Sequence, residues 1–231
     1  MRVIVTRPEE HAAELAERLR ALGHEPLHCP LVRLEPIRPD EPVDVGGYDW
    51  VVVTSRTGAA HLTRRASGPL PRVAAIGPGT AAELAANGVV AALVPDVSTQ
   101  DGLVAAFPRP AGRVLFAGAE GARRVVVDEL GADFVALYRT VPAQPEGGLP
   151  EGDIVVVASP SAARVLAAVW AGEDALGSAP APGRRPLVVS IGPQTSAAAR
   201  AAGLGVDVEA AHFDLDGLVA AVQEAAARMR A

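Results

Sequence analysis

One 115-residue offset brings the chain into register with itself. Ile76-Gly77-Pro78-Gly79-Thr80 matches Ile191-Gly192-Pro193-Gln194-Thr195, Gly88 matches Gly203, and Asp101-Gly102-Leu103-Val104-Ala105-Ala106 matches Asp216-Gly217-Leu218-Val219-Ala220-Ala221. A second motif repeats in a shifted register, Trp50-Val51-Val52-Val53-Thr54-Ser55-Arg56-Thr57 answering to Ile154-Val155-Val156-Val157-Ala158-Ser159-Pro160-Ser161. Arg2-Val3-Ile4-Val5 echoes Arg113-Val114-Leu115-Phe116, so each copy begins ahead of its first strong motif. Such self-similarity restricts the fold to two diverged copies of one unit.

Within each copy, short β-branched runs alternate with Ala- and Leu-rich stretches, the pattern of parallel strands joined by crossover helices. The opening unit illustrates it. Arg2–Val5 reads as a strand, and Pro8 sits near the start of a helix, where a missing N–H costs little. Ala12, Leu15, Leu19 and Leu22 fall on one helical face, and Gly23 stops the helix where a left-handed residue is wanted. Two proline-rich stretches, Pro30 to Pro39 and Val141 to Pro150, suit extended connections and are candidate interdomain crossings. The stretch Gly172 to Pro186 reads as an inserted surface loop that accounts for the change of register between the motif pairs.

The chain has 231 residues and 49% hydrophobic content, enough for packed cores in one large domain or two modest ones. Its net charge of −6 argues against a nucleic-acid or anionic-membrane surface, so an anionic ligand would have to be held by local features. All 21 basic residues are arginine. The absence of lysine removes Schiff-base chemistry, lysine general bases and the lysine of a Walker-type loop. Cys29 stands alone and reads as packed core, and the five histidines show no metal-site spacing, so no metal is implied. The start of the chain lacks a signal-peptide core and no apolar run spans a bilayer, which gives the expectation of a cytoplasmic protein.

Each repeated motif lies where a strand ends and a helix begins, so its hydroxyls and N–H groups would lie at the carboxyl edge of a parallel sheet, the usual ligand position in open α/β folds. Thr54 and Ser55, with Ser159 and Ser161, supply hydroxyls at two helix starts; Gly77 and Thr80, with Gly192 and Thr195, supply a glycine turn and a threonine at two more. Helix N-termini hold anions through free N–H groups. Taken singly, each Ser or Thr reads first as a helix cap, and only the duplication of the four strand-to-helix turns points beyond capping. Ser98 with Asp101 reads as a capping box. Gly77-x-Gly79-x-x-Ala82 also fits a dinucleotide fingerprint, although Pro78 stiffens the turn and the second copy carries Gln194 in place of the middle glycine. Tyr138 ends the apolar run Phe134–Leu137 and could bring a phenol to the edge, or could simply pack with a hydrogen-bonded tip.

Over essentially its whole length the sequence resembles the uroporphyrinogen-III synthase family. The resemblance rests on Thr6-Arg7-Pro8, Val53-Thr54-Ser55, Ile76-Gly77-Pro78-Gly79-Thr80, Tyr138-Arg139-Thr140, Ser159-Pro160-Ser161, Ile191-Gly192-Pro193-Gln194-Thr195 and Asp214-Leu215-Asp216-Gly217-Leu218. It implies a monomeric, cofactor-free enzyme that closes the linear tetrapyrrole hydroxymethylbilane into uroporphyrinogen III, losing water and inverting the last pyrrole ring through a spirocyclic intermediate. It implies two flavodoxin-like α/β lobes with parallel sheets, residues 1–34 plus 141–231 and residues 37–138, joined by extended linkers at 30–39 and 138–150 with the site in the cleft between them. Matching motif to motif, Tyr138 would assist departure of the hydroxyl, and Arg7, Thr54, Ser55, Gly77, Thr80, Ser159, Ser161, Gly192 and Thr195 would bind substrate. Two departures stand out. Ala158 replaces an expected threonine, and Ala117-Gly118-Ala119-Glu120 lacks an arginine often found after that strand, which leaves the part played by Arg123 open. The rival readings are a bilobed small-anion binding module and, behind it, a nucleotide-dependent oxidoreductase.

Overall fold

A computed structural model describes residues 1–143, 145, 148–171 and 185–230; most of the expected loop from Gly172 to Pro186 therefore lies outside the described residues. The elements run β1 (Arg2–Val5), a 3-10 turn (Glu9–His11), α1 (Ala13–Ala21), β2 (Glu25–His28), β3 (Val32–Pro36), β4 (Val43–Asp44), β5 (Trp50–Val53), α2 (Arg56–Arg65), β6 (Ala66–Ser67), β7 (Arg72–Ala75), α3 (Pro78–Ala86) and α4 (Gln100–Ala106). They continue with β8 (Val114–Ala119), α5 (Val125–Leu130), β9 (Asp133–Pro142), β10 (Ile154–Val157), α6 (Pro160–Ala171), β11 (Leu187–Ser190), α7 (Pro193–Ala201), β12 (Val208–Glu209) and α8 (Leu215–Arg228).

The chain divides into two compact units, Met1–Arg33 with Val141–Ala231, and Leu34–Thr140. In the first, the strand order is β12-β11-β10-β1-β2 and every measured pairing is parallel. Counted in chain order within the unit this is 2-1-3-4-5, the flavodoxin-like doubly wound order. All four residues of β10 are buried because helices cover both sheet faces. Val3, Val5, Ile154, Val156 and Val189 point to the side of Leu15, Leu19, Leu218 and Val222 on α1 and α8. Ile4, Val155, Val157 and Val188 point to the side of Ala163, Leu166 and Ala199 on α6 and α7. Fully burying each such Val or Leu contributes about 1.5–3 kcal/mol.

The second unit has the order β3-β9-β8-β5-β7, and Ala74 of β7 also bridges in parallel to Leu93. That bridge lies at the 115-residue offset from the pair Val189 and Val208 of the first unit. By the same correspondence β5, β7, β8 and β9 stand for β10, β11, β1 and β2. Ala59, Leu62 and Leu84 of α2 and α3 cover one face. Leu103, Phe107 and Val126 around α4 and α5 cover the other. A separate two-stranded sheet pairs β4 with β6.

The sequence repeats are therefore not the compact units. The first copy gives β1, α1 and β2 to one unit and β5 to α4 to the other; the second copy gives β8, α5 and β9 to one and β10 to α8 to the other. Both passages between units fall inside strands, β3 and β9, which are neighbours in one sheet. Around them Ala143 N–H donates to Leu31 O and Ile37 N–H to Leu137 O, each at 2.9 Å.

Three local expectations change. Pro8 precedes the 3-10 turn rather than α1 itself, and Leu22, just beyond Ala21, is exposed and lies off the apolar face that Ala12, Leu15 and Leu19 form. Gly118 and Ala119 belong to β8, so the loop after that strand starts at Glu120. Gly88 and Gly203 end α3 and α7 at φ +78° and +79°, a left-handed geometry that glycine adopts without steric cost. Cys29 is buried and its thiol is pushed up to about 11 by that burial, as suits a packing residue.

Candidate functional site

Each parallel sheet sends its strands into helices at one edge, and the expected site residues gather at that edge within each unit. In the second unit Ser55 is the N-cap of α2, its Oγ accepting from Gly58 N–H at 2.9 Å. The same Oγ lies 2.9 Å from Tyr138 Oη. Tyr138 reaches it through a bulge. Leu115, Phe116, Ala117 and Gly118 face Asp133, Phe134, Val135 and Ala136 in step, but Ala119 faces Tyr138, leaving Leu137 as the extra residue. The alternation breaks there, so Leu137 and Tyr138 both pack in the cluster beneath α2.

Tyr138 is 6% exposed, and His61 of α2 stacks on it with ring centroids 5.9 Å apart. Burial raises the phenol above its usual range, while the Ser55 hydrogen bond acts the other way. The group is therefore held protonated, able to donate a hydrogen bond. Burial, reinforced by Arg64 and Arg65, keeps His61 below the usual imidazole range. Thr54, beside Ser55, is half-buried at the end of β5.

The next turn along that edge holds Gly77 and Thr80, tied to the first by Ile76 N–H donating to Val53 O at 3.1 Å. Gly77 is the N-cap of α3 with extended backbone, so its glycine is not required by φ. It is required by Ser98: a Cβ on Gly77 would lie 2.4 Å from Ser98 Oγ and 3.0 Å from Ser98 Cβ. Ser98 thus fills the position of the first glycine of the G-x-G-x-x-G pattern, whereas a Cβ on Gly79, the second, would meet nothing nearer than Arg56 Cδ at 3.9 Å. Ser98 does not cap α4 either. Thr99 does, accepting from Gly102 N–H at 3.0 Å, while Asp101 bonds Arg123 at 3.0 Å.

In the first unit Ser159 caps α6, accepting from Ala162 N–H at 3.1 Å, with Ser161 half-buried one turn in. The turn of Gly192 and Thr195 adjoins it through Ile191 N–H donating to Val157 O at 3.0 Å. Arg7 follows β1, its carbonyl accepting from His28 Nε2 at 3.1 Å. Residues that sequence reading left out strengthen this edge: Thr6 is fully buried with Oγ1 donating to Val156 O at 2.7 Å, and the buried Ser190 and Ser196 hydroxyls lie 2.5 Å apart. Their signal was present only as Thr6 before Arg7 and Ser196 after Thr195.

Capping therefore describes Ser55 and Ser159 but not Thr80 or Thr195. Those threonines are 5% and 3% exposed inside the first turns of α3 and α7, and neither helix has a side-chain cap. Helix starts without a side-chain acceptor keep N–H groups open to an outside anion. Among the described residues no three His, Cys, Asp or Glu gather as they would round a metal ion, and no helix is long and apolar enough to cross a membrane.

The sequence model described as Uroporphyrinogen-III synthase HemD matches residues 13–220. The chain is 25% identical to the uroporphyrinogen-III synthase of Synechococcus elongatus, over 96% of this chain and 94% of that protein. A 62-residue match at 36% identity relates it to the porphyrin biosynthesis protein HemD of Ruminiclostridium josui, spanning 25% of this chain and only 12% of that protein. Among solved structures, a mutant uroporphyrinogen III synthase of the extreme thermophile Thermus thermophilus superposes with a TM-score of 0.62 at 17% identity, covering 99% of each chain. The uroporphyrinogen-III synthetase of Helicobacter pylori gives 0.62 at 12%, covering 97% of this chain and 99% of that one. At those identities the likeness is one of fold.

Two outcomes check this geometry. Gly77→Ala should lower the urea midpoint, a cost of roughly 1–3 kcal/mol from overpacking, and Ser98→Gly should recover most of the loss; an unchanged midpoint for Gly77→Ala would refute the contact. Below about pH 6.5 the unfolded chain binds a proton that folded His61 resists, so stability is lost as the pH drops through this range and regained as it rises. His61→Asn should flatten that part of a pH series of melting temperatures, and an identical slope would contradict the burial of His61.

Proposed function

The chain belongs to the uroporphyrinogen-III synthase family, and from that premise we propose that it closes hydroxymethylbilane into uroporphyrinogen III with loss of water and inversion of the last pyrrole ring. The observation that carries this reading beyond membership is the pair of helix starts at Gly77 and Gly192, both without a side-chain cap and both bearing a buried Thr in the first turn. A polycarboxylate with acetate and propionate arms suits such N–H groups.

The linear substrate loses its hydroxyl readily and closes spontaneously to the uninverted isomer. The task is chiefly to hold one conformer and favour attack at the substituted carbon. Each tenfold preference needs about 1.4 kcal/mol, within reach of several contacts to backbone N–H groups. In this reading the remaining amides at the starts of α3 and α7, beside Thr80 and Thr195, bind carboxylates, the Thr80 N–H itself donating to Gly77 O at 3.2 Å; Ser55, Ser159 and Ser161 contribute hydroxyls, Thr54, Gly77 and Gly192 shape those turns, and Arg7 adds a guanidinium after β1. Tyr138, kept protonated beside Ser55, hydrogen-bonds the departing hydroxyl and passes it a proton, the hydroxyl leaves as water, and the phenol is reprotonated by the proton that the pyrrole carbon loses on ring closure. The proposal asks for no cofactor. We take the enzyme to be a cytoplasmic monomer, a reading with which the buried Cys29 accords.

Supplied with fresh hydroxymethylbilane, the protein should yield uroporphyrinogen III faster than the protein-free reaction forms its isomer. Only the uninverted isomer, at the protein-free rate, would refute the function. Tyr138→Phe should lower kcat by roughly 10²-fold, the usual size of a general-acid contribution, whereas Thr80→Ala and Thr195→Ala keep substantial activity. Wild-type turnover in Tyr138→Phe, with either threonine variant folded but inactive, would reverse these roles.

A further inference from the structure

The offset of 115 residues extends to contacts that the sequence match does not include. Thr99 and Asp214 cap α4 and α8 in the same way, each accepting from a glycine N–H, Gly102 at 3.0 Å and Gly217 at 2.8 Å. A Cβ on Gly102 would lie 2.3 Å from Val97 O, and one on Gly217 would lie 2.1 Å from His212 O. One residue on, Ser98 lies against Gly77, and at the same offset Phe213 lies against Gly192, where a Cβ would come within 2.7 Å of the ring. The frame is duplicated, but the residue it presents is a small hydroxyl in one unit and a phenyl ring in the other.

Phe213 is nevertheless 64% exposed. A single exposed apolar side chain is ordinary on a protein surface. This one is set apart by its place: the backbone at His212 lies where a Cβ on Gly217 would be, and the ring edge lies where a Cβ on Gly192 would be, at the edge where α7 and α8 begin. One side of the ring is thus held by protein beside the Gly192 helix start while much of its surface faces outward.

We propose that Phe213 is a substrate-contacting residue, its ring stacking on a pyrrole of the linear tetrapyrrole whose carboxylate binds at the start of α7. The proposal rests on the function argued above and adds a contact to it. A pyrrole has an apolar face with carboxylate arms at its margin, so an aromatic ring beside open N–H groups matches both parts of it. Ser98 offers no such face in the other unit, so this stacking contact belongs to one edge only.

The test is steady-state kinetics with hydroxymethylbilane on the wild type, Phe213→Ser, which installs the residue of the other copy, and Phe213→Tyr, which keeps the ring. Phe213→Ser should raise KM about three- to tenfold with kcat within about twofold, the pattern of lost binding shared by ground and transition states. Phe213→Tyr should stay near wild type. The melting temperature should be unchanged in both, since the ring is largely exposed. A wild-type KM in Phe213→Ser, whatever happens to kcat, overturns the proposal, and so does an equal rise of KM in Phe213→Tyr. An inactive wild-type protein removes the functional reading beneath it, whereas an active wild type with an indifferent Phe213→Ser removes this proposal alone.

Discussion

Parallel strands buried on both faces impose the constraint from which the rest follows. Such a strand needs a crossover helix to return the chain, and the helices must cover both sides of the sheet. With β10 and β5 wholly buried and β1, β11 and β7 nearly so, each strand hands the chain to a helix at one edge of its own sheet. That edge accumulates N–H groups that the helices cannot satisfy themselves. Where a side chain such as Ser55 or Ser159 accepts from one of them, the helix is capped; where Gly-Pro opens the helix, as at Gly77 and Gly192, no side chain does so.

A site built this way relies little on titrating side chains. Its polar groups are backbone amides fixed by the fold, which suits a reaction whose main demand is the choice of conformer. Tyr138 is the exception, and the structure explains its condition locally. The bulge at Gly118 and Ala119 turns Tyr138 toward α2, burial keeps the phenol protonated, and Ser55 fixes its oxygen at the helix start.

Elements set by local pattern were legible in the sequence: the β-branched runs, the glycine stops at Gly23, Gly88 and Gly203, and the two pairs of strand-to-helix turns. Features set by contacts distant in sequence were not. Thr99 rather than Ser98 caps α4, a choice visible only once Thr99 is set against Asp214 at the 115-residue offset. Leu22 satisfies the helical period yet lies past the last turn, because α1 ends at Ala21. The bulge before Tyr138 has no glycine or proline next to it on β9 to announce it. Gly77 and Gly192 both have extended backbone, so a left-handed φ does not account for either glycine. Ser98 and Phe213 press on them from 21 residues away.

The binding mode proposed for the site turns on helix starts without a side-chain cap, at Gly77 and at Gly192, taking up carboxylates. The decisive measurement is of amide chemical shifts followed during titration with uroporphyrinogen III under anaerobic conditions. N–H resonances in the first turns of α3 and α7 should move and saturate as ligand is added. Unmoved resonances in those turns, with shifts confined to residues elsewhere, would contradict that binding mode.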